Sequence, residues 1–305
     1  MKKLYTIIVT TIVTLLITNT ALRAQNFHLF DMNHSKDAYP ANNFQYPEEQ
    51  WEDYTKYGYA VLNGVAYFTA NDGIIGEALW RSDGTAAGTY MVKDIYPDYL
   101  QERMYNLTVS GNKVFFKVDG PYGQELWASD GTGTGTYLVF SSGSSMYYLT
   151  DVNGALYFMK SYYGTADQLW KTDGTPEGTT MIADLYWEVG GYRATKLTPV
   201  QGRLFFVVET FSDGPELYTN EGTPGSTHLV KDINPFGGSY PSQLTAVNGL
   251  LCFGADDGTG KQVWVSDGTE AGTYKANNPK NITVNDHGGT DFTIKNNSIY
   301  FSGRY

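Results

Sequence analysis

An all-β fold, a β-propeller of about six four-stranded antiparallel blades, is what this sequence predicts, and three observations carry it. A unit of about 47 residues recurs along the chain. Each copy holds two turn signals rich in Gly, Asn and Asp. The composition is that of strands and turns: 34 Gly, 25 Tyr and only 17% charged residues among 305, below the roughly 25% of an ordinary globular chain. Disorder requires the opposite balance, high charge with low hydrophobicity.

The first 24 residues precede the repeat and read as a secretory signal peptide. Lys2 and Lys3 form the positive n-region, Ile7 to Ile17 the uncharged apolar run, and Leu22-Arg23-Ala24 the cleavage site. A retained membrane anchor is the alternative for this segment. Cleavage predicts a secreted or cell-surface protein starting at Gln25, with no membrane insertion afterwards. Losing Lys2, Lys3 and Arg23 leaves 18 basic residues against 32 acidic ones, a net charge of −14. Such acidity disfavours nucleic acid, whose phosphates need bulk neutralisation. Cys252 is the single cysteine, so no intrachain disulfide can form and residues 25–305 rely on their core alone, as one domain.

Two aromatic anchors define the repeat. One precedes a turn, at Leu79-Trp80, Leu126-Trp127, Leu169-Trp170, Leu217-Tyr218 and Val263-Trp264, spaced 47, 43, 48 and 46 residues. The other is Phe68, Phe116, Phe158, Phe206, Phe253 and Phe301, spaced 48, 42, 48, 47 and 48. The Phe-to-aromatic gap is 11 or 12 in every unit, so the two anchors drift together. The units are 59–96, 107–140, 149–186, 197–234 and 244–277, with a partial unit at 292–305.

Four strands fill each unit. The first two flank Asn63-Gly64, Gly111-Asn112, Asn153-Gly154, Gln201-Gly202, Asn248-Gly249 or Asn296-Asn297, residues that tolerate the positive φ of a tight hairpin. A variable loop leads to the strand bearing Trp. A second turn follows at Ser82-Asp83-Gly84-Thr85, and again at Ser129-Asp130, Thr172-Asp173, Asn220-Glu221 and Ser266-Asp267, before the fourth strand. Four antiparallel strands per 40–50 residues is the pattern of a propeller blade. His28 to Asn33 resembles the fourth strand His228 to Asn234, so strand 27–33 is expected to close the partial sixth unit. Splitting the last blade between the termini pairs edges that would otherwise be exposed. The third strand of that blade is missing from the sequence, so the ring is either closed by an incomplete blade or truncated at its C-terminal end.

Glu125-Leu126-Trp127-Ala128-Ser129-Asp130-Gly131-Thr132, with Gly135-Thr136 after it, resembles the ELWxxDGT repeat of exported bacterial proteins. Val230-Lys231-Asp232-Ile233-Asn234-Pro235 matches that repeat's continuation. The resemblance runs through five units, the fourth departing at Tyr218 and Glu221. It implies a propeller-like array and export, often with a C-terminal sorting domain for type IX secretion, and is nearly silent about chemistry. No such domain is legible before Tyr305.

The repeat assigns structural roles to Trp80, Asp83, Trp127, Asp130, Trp170, Asp173, Tyr218, Glu221, Trp264 and Asp267. Their Asp-Gly-Thr turns resemble the Asp-box hairpins of sialidase propellers. Asp accepts backbone N–H bonds there and Thr caps the turn, so five similar turns read as folding elements rather than as calcium or sugar sites. The Asp-Gly loops after the second strand, such as Asp256-Asp257-Gly258, lack the alternating oxygen ligands of a calcium loop. No cofactor and no metal is expected.

In a propeller the first and third turns of each blade share one face, and the second-to-third loops and inter-blade connections share the other. The first face is uniform in this sequence. The second is irregular and carries Tyr96, Tyr99, Tyr122, Tyr162, Tyr163, Tyr186, Trp187, Tyr192, Phe236 and Tyr240. Rigid aromatics with polar tips suit carbohydrate stacking or protein contact, and packing between blades is the competing role. The expected function is a monomeric binding or adhesion module for a carbohydrate or protein ligand. A structural domain of a larger surface protein and a propeller glycoside hydrolase or lyase are the alternatives. Catalysis has little support, since His28, His34, His228 and His287 show no metal-ligand spacing and no nucleophile elbow occurs.

Overall fold

The computed structural model describes residues 59–71, 77–97, 103–161 and 166–276, with short strands at 283–284, 293–295, 298–300 and 303–304. The chain is all-β, built as a β-propeller from blades that are four-stranded antiparallel meanders. The first blade contains β1 (Tyr59–Leu62), β2 (Val65–Asn71), β3 (Glu77–Ser82) and β4 (Tyr90–Lys93). The second contains β5 (Arg103–Ser110), β6 (Lys113–Gly120), β7 (Gly123–Ser129) and β8 (Thr136–Ser141). The third contains β9 (Ser145–Val152), β10 (Ala155–Ser161), β11 (Gln168–Thr172) and β12 (Thr180–Asp184). After helix α1 (Leu185–Val189) comes the fourth, with β13 (Gly191–Val200), β14 (Arg203–Thr210), β15 (Gly214–Asn220) and β16 (His228–Leu229). The fifth has β17 (Ser242–Val247), β18 (Leu250–Asp256), β19 (Lys261–Ser266) and β20 (Tyr274–Lys275).

Beyond these, β21 (Thr283–Val284) pairs with β24 (Gly303–Arg304), and β22 (Thr293–Lys295) pairs with β23 (Ser298–Tyr300). That last hairpin occupies the place of the partial sixth unit. The expected closing strand 27–33 and the signal segment 1–24 lie outside the described residues.

The constant gap between the two anchors has a simple origin. Phe68 faces Trp80, Phe116 faces Trp127, Phe158 faces Trp170, Phe206 faces Tyr218 and Phe253 faces Trp264 as direct cross-strand partners of the second and third strands. Aromatic pairs of this kind are the unit of sheet stabilisation, and the hairpin register fixes their separation. At the first turn, Asn63-Gly64, Asn153-Gly154, Gln201-Gly202 and Asn248-Gly249 hold positive φ at both residues. This is the geometry whose twist matches the flanking strands.

The chain divides into two compact units, Met1–Gly143 with the first two blades and Ser144–Tyr305 with the rest. Within each unit the core lies between successive blades. In the first, Leu79, Val92 and Ile95 pack with Met104, Val114, Phe116 and Val118. In the second, Met159, Leu169 and Ile182 meet Leu204, Phe206 and Val208, and Phe205, Leu217 and Val230 meet Leu251, Phe253 and Ala255. Cys252 is buried in β18, where the apolar surroundings push its thiol up to about 11. A protonated, enclosed thiol is inert.

Polar ties supplement this burial. The lysine of each Val-Lys-Asp segment reaches the following blade: Lys93 Nζ donates to the Thr136 carbonyl at 2.7 Å, and Lys231 Nζ to the Thr273 carbonyl at 3.0 Å. A carboxylate near the start of the third strand does the same in the other direction of the meander. Glu77 accepts the Met104 N–H at 2.7 Å, Asp167 the Ala194 N–H at 2.6 Å, and Glu216 the Ser239 N–H at 2.6 Å. These two devices give the acids just ahead of the Leu-aromatic pair at Glu77, Asp167 and Glu216, and the lysine of Val-Lys-Asp, a physical reason to recur. Glu125 of Glu-Leu-Trp instead accepts from Tyr96 and Trp127.

Candidate functional site

The Asp-Gly-Thr turns have spent their polar groups on themselves. In the second blade Asp130 Oδ1 accepts from the Thr132 N–H at 2.9 Å and the Thr132 hydroxyl at 2.7 Å. Thr132 Oγ1 in turn accepts the Gly135 N–H at 2.9 Å, and Ser129 and Thr136 share a hydroxyl bond at 2.7 Å. Asp83, Asp173 and Asp267 repeat the arrangement. The threonine hydroxyl, followed by the backbone N–H, holds the Asp83 and Asp267 carboxyls below the ordinary range. In the fourth blade Asn220 and Ser226 substitute for the missing groups, binding the Gly222 and Glu221 N–H groups, while Glu221 pairs with Arg203 at 3.1 Å.

The Asp256-Asp257-Gly258 loop is likewise committed. Asp256 Oδ1 accepts the Gly258 and Gly260 N–H groups, and Asp257 takes Thr259 and the Lys275 ammonium. Among the described residues, no three His, Cys, Asp or Glu side chains converge as a metal site.

The aromatic residues divide by environment. Tyr99, Tyr162 and Tyr163 lie outside the described residues. Tyr96 is half-buried, donates to Glu125 Oε2 at 2.6 Å and stands edge-on to Trp127, so it packs rather than presents a surface. Tyr122 is exposed at the β6–β7 turn, and Phe236 is fully exposed in the connection after the fourth blade. Tyr186, Trp187 and Tyr192 come together.

Their grouping follows from a short helical turn. Asp184 caps α1 by accepting the Trp187 N–H at 3.5 Å, and Gly190 ends it at φ 66° in the left-handed conformation. Leu185 is buried and anchors the helix, which throws Tyr186 and Trp187 outward, Trp187 to 82% exposure. Phe211, exposed at the β14–β15 turn, completes the cluster. Ring centroids are 4.9 Å apart for Tyr186–Trp187, 6.4 Å for Tyr186–Phe211 and 4.8 Å for Tyr192–Phe211. The Phe211 N–H donates to the Gly190 carbonyl at 3.4 Å, tying turn to helix. Sequence reasoning missed Phe211 because no repeat position marks that loop.

A second missed feature lies on the first strand of four blades. Asn106, Tyr148, Lys196 and Gln243 hold φ between 55° and 64° without being glycine. The ladder slips in register around the same segments. Each is followed by Leu-Thr, and the Thr hydroxyl donates back to its carbonyl at 2.8–3.1 Å. The x-Leu-Thr recurrence was available in the sequence as the sign of this bulge. A bulge breaks the strict alternation of a strand and re-aims side chains. In β13 it sends both Thr195 and Lys196 to line one cleft of about 390 Å³.

Arg193 from the same strand and Glu209 from β14 form that side of the cleft. Tyr240, Ser242 and Lys261 form the other. The Glu209 carboxylate beside Tyr192 raises its phenol above the ordinary value and links the aromatic cluster to the cleft.

In structure the chain is similar to a puromycin hydrolase, with 14% identity over 65% of this chain and 33% of that one and a TM-score of 0.43. It is also similar to TolB from Acinetobacter baumannii, at 15% identity over 67% and 50% with a TM-score of 0.38. The β-propeller domain of the Trilobed protease from Pyrococcus furiosus is a third, at 11% identity over 73% and 70% with a TM-score of 0.43. The chain spans about a third of the length of the puromycin hydrolase. No family model and no curated protein matches it.

Proposed function

We propose that the protein is an exported binding module that takes a carbohydrate ligand on the aromatic cluster of Tyr186, Trp187, Tyr192 and Phe211, a protein ligand being the alternative outcome. The observation that carries this reading is the cluster itself. Four rings, two of them among the most exposed large apolar side chains, stand on a capped helical turn, a turn bonded to it and the start of β13. A rigid platform loses little conformational freedom on binding, and exposed rings of this kind mark contact sites. Export rests on the apolar segment 7–17 behind Lys2 and Lys3, and the repeated turns support kinship with the ELWxxDGT-repeat proteins.

A glycan array probed with residues 25–305 and with the Trp187→Ala form tests the reading. Binding by the parent chain that the variant loses is expected. Binding that survives the substitution would place the ligand elsewhere.

A further inference from the structure

Nine non-glycine residues among the described ones hold a positive φ. The hairpin turns account for Asn63, Asn153, Gln201 and Asn248, and the first-strand bulges for Asn106, Tyr148, Lys196 and Gln243. The ninth, Tyr240 at φ 49°, belongs to neither repeated device. A bulky side chain is a true outlier in that region, and such strain persists only where the surroundings over-determine it. Here they do. The Tyr240 N–H donates to the Pro215 carbonyl at 3.1 Å. Before it, Glu216 holds the Ser239 N–H and hydroxyl, and after it the Pro241 carbonyl accepts from Lys196 Nζ at 3.1 Å.

The strained residue serves no partner inside the protein. Its side chain has no hydrogen bond or aromatic contact among the described residues, and Tyr240 is 59% exposed. It stands at the rim of the cleft of about 390 Å³. On the facing wall the Thr195 hydroxyl likewise has no partner among the described residues, and Glu209 lies beside Tyr192 of the aromatic cluster. Tyr192 is also the chain neighbour of Arg193 in that wall, so cluster and cleft are continuous from Trp187 to Tyr240.

Two aromatic positions joined by a polar trough suit a chain of sugars. A pyranose brings an apolar C–H face to a ring and hydroxyls to polar groups, and a linear chain repeats both along its length. A single terminal sugar would fill one position and leave Tyr240 unused. The cleft falls at the lower end of small-ligand volumes, which suits one segment of a chain whose remainder lies on the cluster.

We propose that the aromatic cluster and the cleft are one extended site for a linear oligosaccharide, with Tyr240 as the stacking residue at its far end. The proposal rests on the carbohydrate reading of the cluster and gives it a substrate class, chains of several sugars rather than single terminal residues.

Calorimetric titration of residues 25–305 tests it, using cello-, xylo-, manno- and chito-oligosaccharides from monosaccharide to hexasaccharide. A Pro-rich peptide, the extended ligand that aromatic grooves also take, is titrated beside them. At least one saccharide series should bind, the hexasaccharide about tenfold or more tighter than the disaccharide. Tyr240→Gly suits the left-handed backbone, so it should melt no lower than the parent. It should weaken the hexasaccharide about tenfold and leave the disaccharide unchanged, whereas Trp187→Ala should weaken both. Equal affinity across lengths, or a Tyr240→Gly effect that is absent or the same at both lengths, would overturn the extended site while leaving the cluster reading intact. Binding of the peptide and of no saccharide would replace the ligand class. If nothing binds, both readings fall.

Discussion

Replacing Glu216 by glutamine should change how the stability of the protein responds to pH. Glu216 is buried on β15 and accepts the Ser239 N–H at 2.6 Å and the Ser239 hydroxyl at 2.5 Å. Burial pushes its carboxyl from 4.5 up to about 7, although both bonds from Ser239 pull it down. That displacement corresponds to about 3 kcal/mol in favour of the protonated form in the folded state. The folded value is raised, so this stabilisation is complete below about pH 4.5 and is lost as pH rises through about 7. Glutamine is neutral throughout and keeps an oxygen for the Ser239 N–H. In urea denaturation from pH 4.5 to 8, the two proteins should have similar stability at the acid end. The variant should gain on the parent with rising pH, up to about 3 kcal/mol at the alkaline end. Glu77 and Asp167 are also raised by burial, but both proteins keep them, so they cancel in the difference. A constant difference across the whole range would refute the assignment of a displaced carboxyl to Glu216.

Three further outcomes follow from the repeat and the candidate site. Gly135→Ala places a methyl group inside the Asp130 carboxyl and should cost about 1–3 kcal/mol in thermal or urea unfolding, with Asp130→Ala recovering part of the loss in the double variant. Lys231→Met removes the donor to the Thr273 carbonyl while keeping the apolar stem, and should lower stability by about 1 kcal/mol. Trp187→Ala should leave the melting temperature within a degree or two of the parent, because the ring is 82% exposed and surface changes cost about 0.5 kcal/mol or less. Differential scanning calorimetry reads all three.

The repeat was legible because its anchors are cross-strand partners, so register converts directly into sequence spacing: Phe158 and Trp170 keep their gap because they face each other. The turns were legible because Asp130 and Gly131 each meet a local backbone requirement that few residues can satisfy. The role of Glu216 was not, since its partner Ser239 is reached through the path of the inter-blade connection and sequence spacing does not give that path. The bulge at Lys196 left a trace in the Leu-Thr that follows, but the trace reads as an ordinary strand until the positive φ is known. The cleft depends on that bulge, because alternation alone would send Thr195 and Lys196 to opposite faces. Tyr96 shows the converse limit, since its residue type suits an exposed platform but its hydroxyl is taken by Glu125.

The most direct test of the binding face is the affinity of residues 25–305 for an array-selected glycan, measured by calorimetry beside a Trp187→Ala, Phe211→Ala double variant of unchanged melting temperature. Loss of at least about tenfold in affinity is the predicted result. Equal affinity in the two proteins would contradict the assignment of the ligand to these rings.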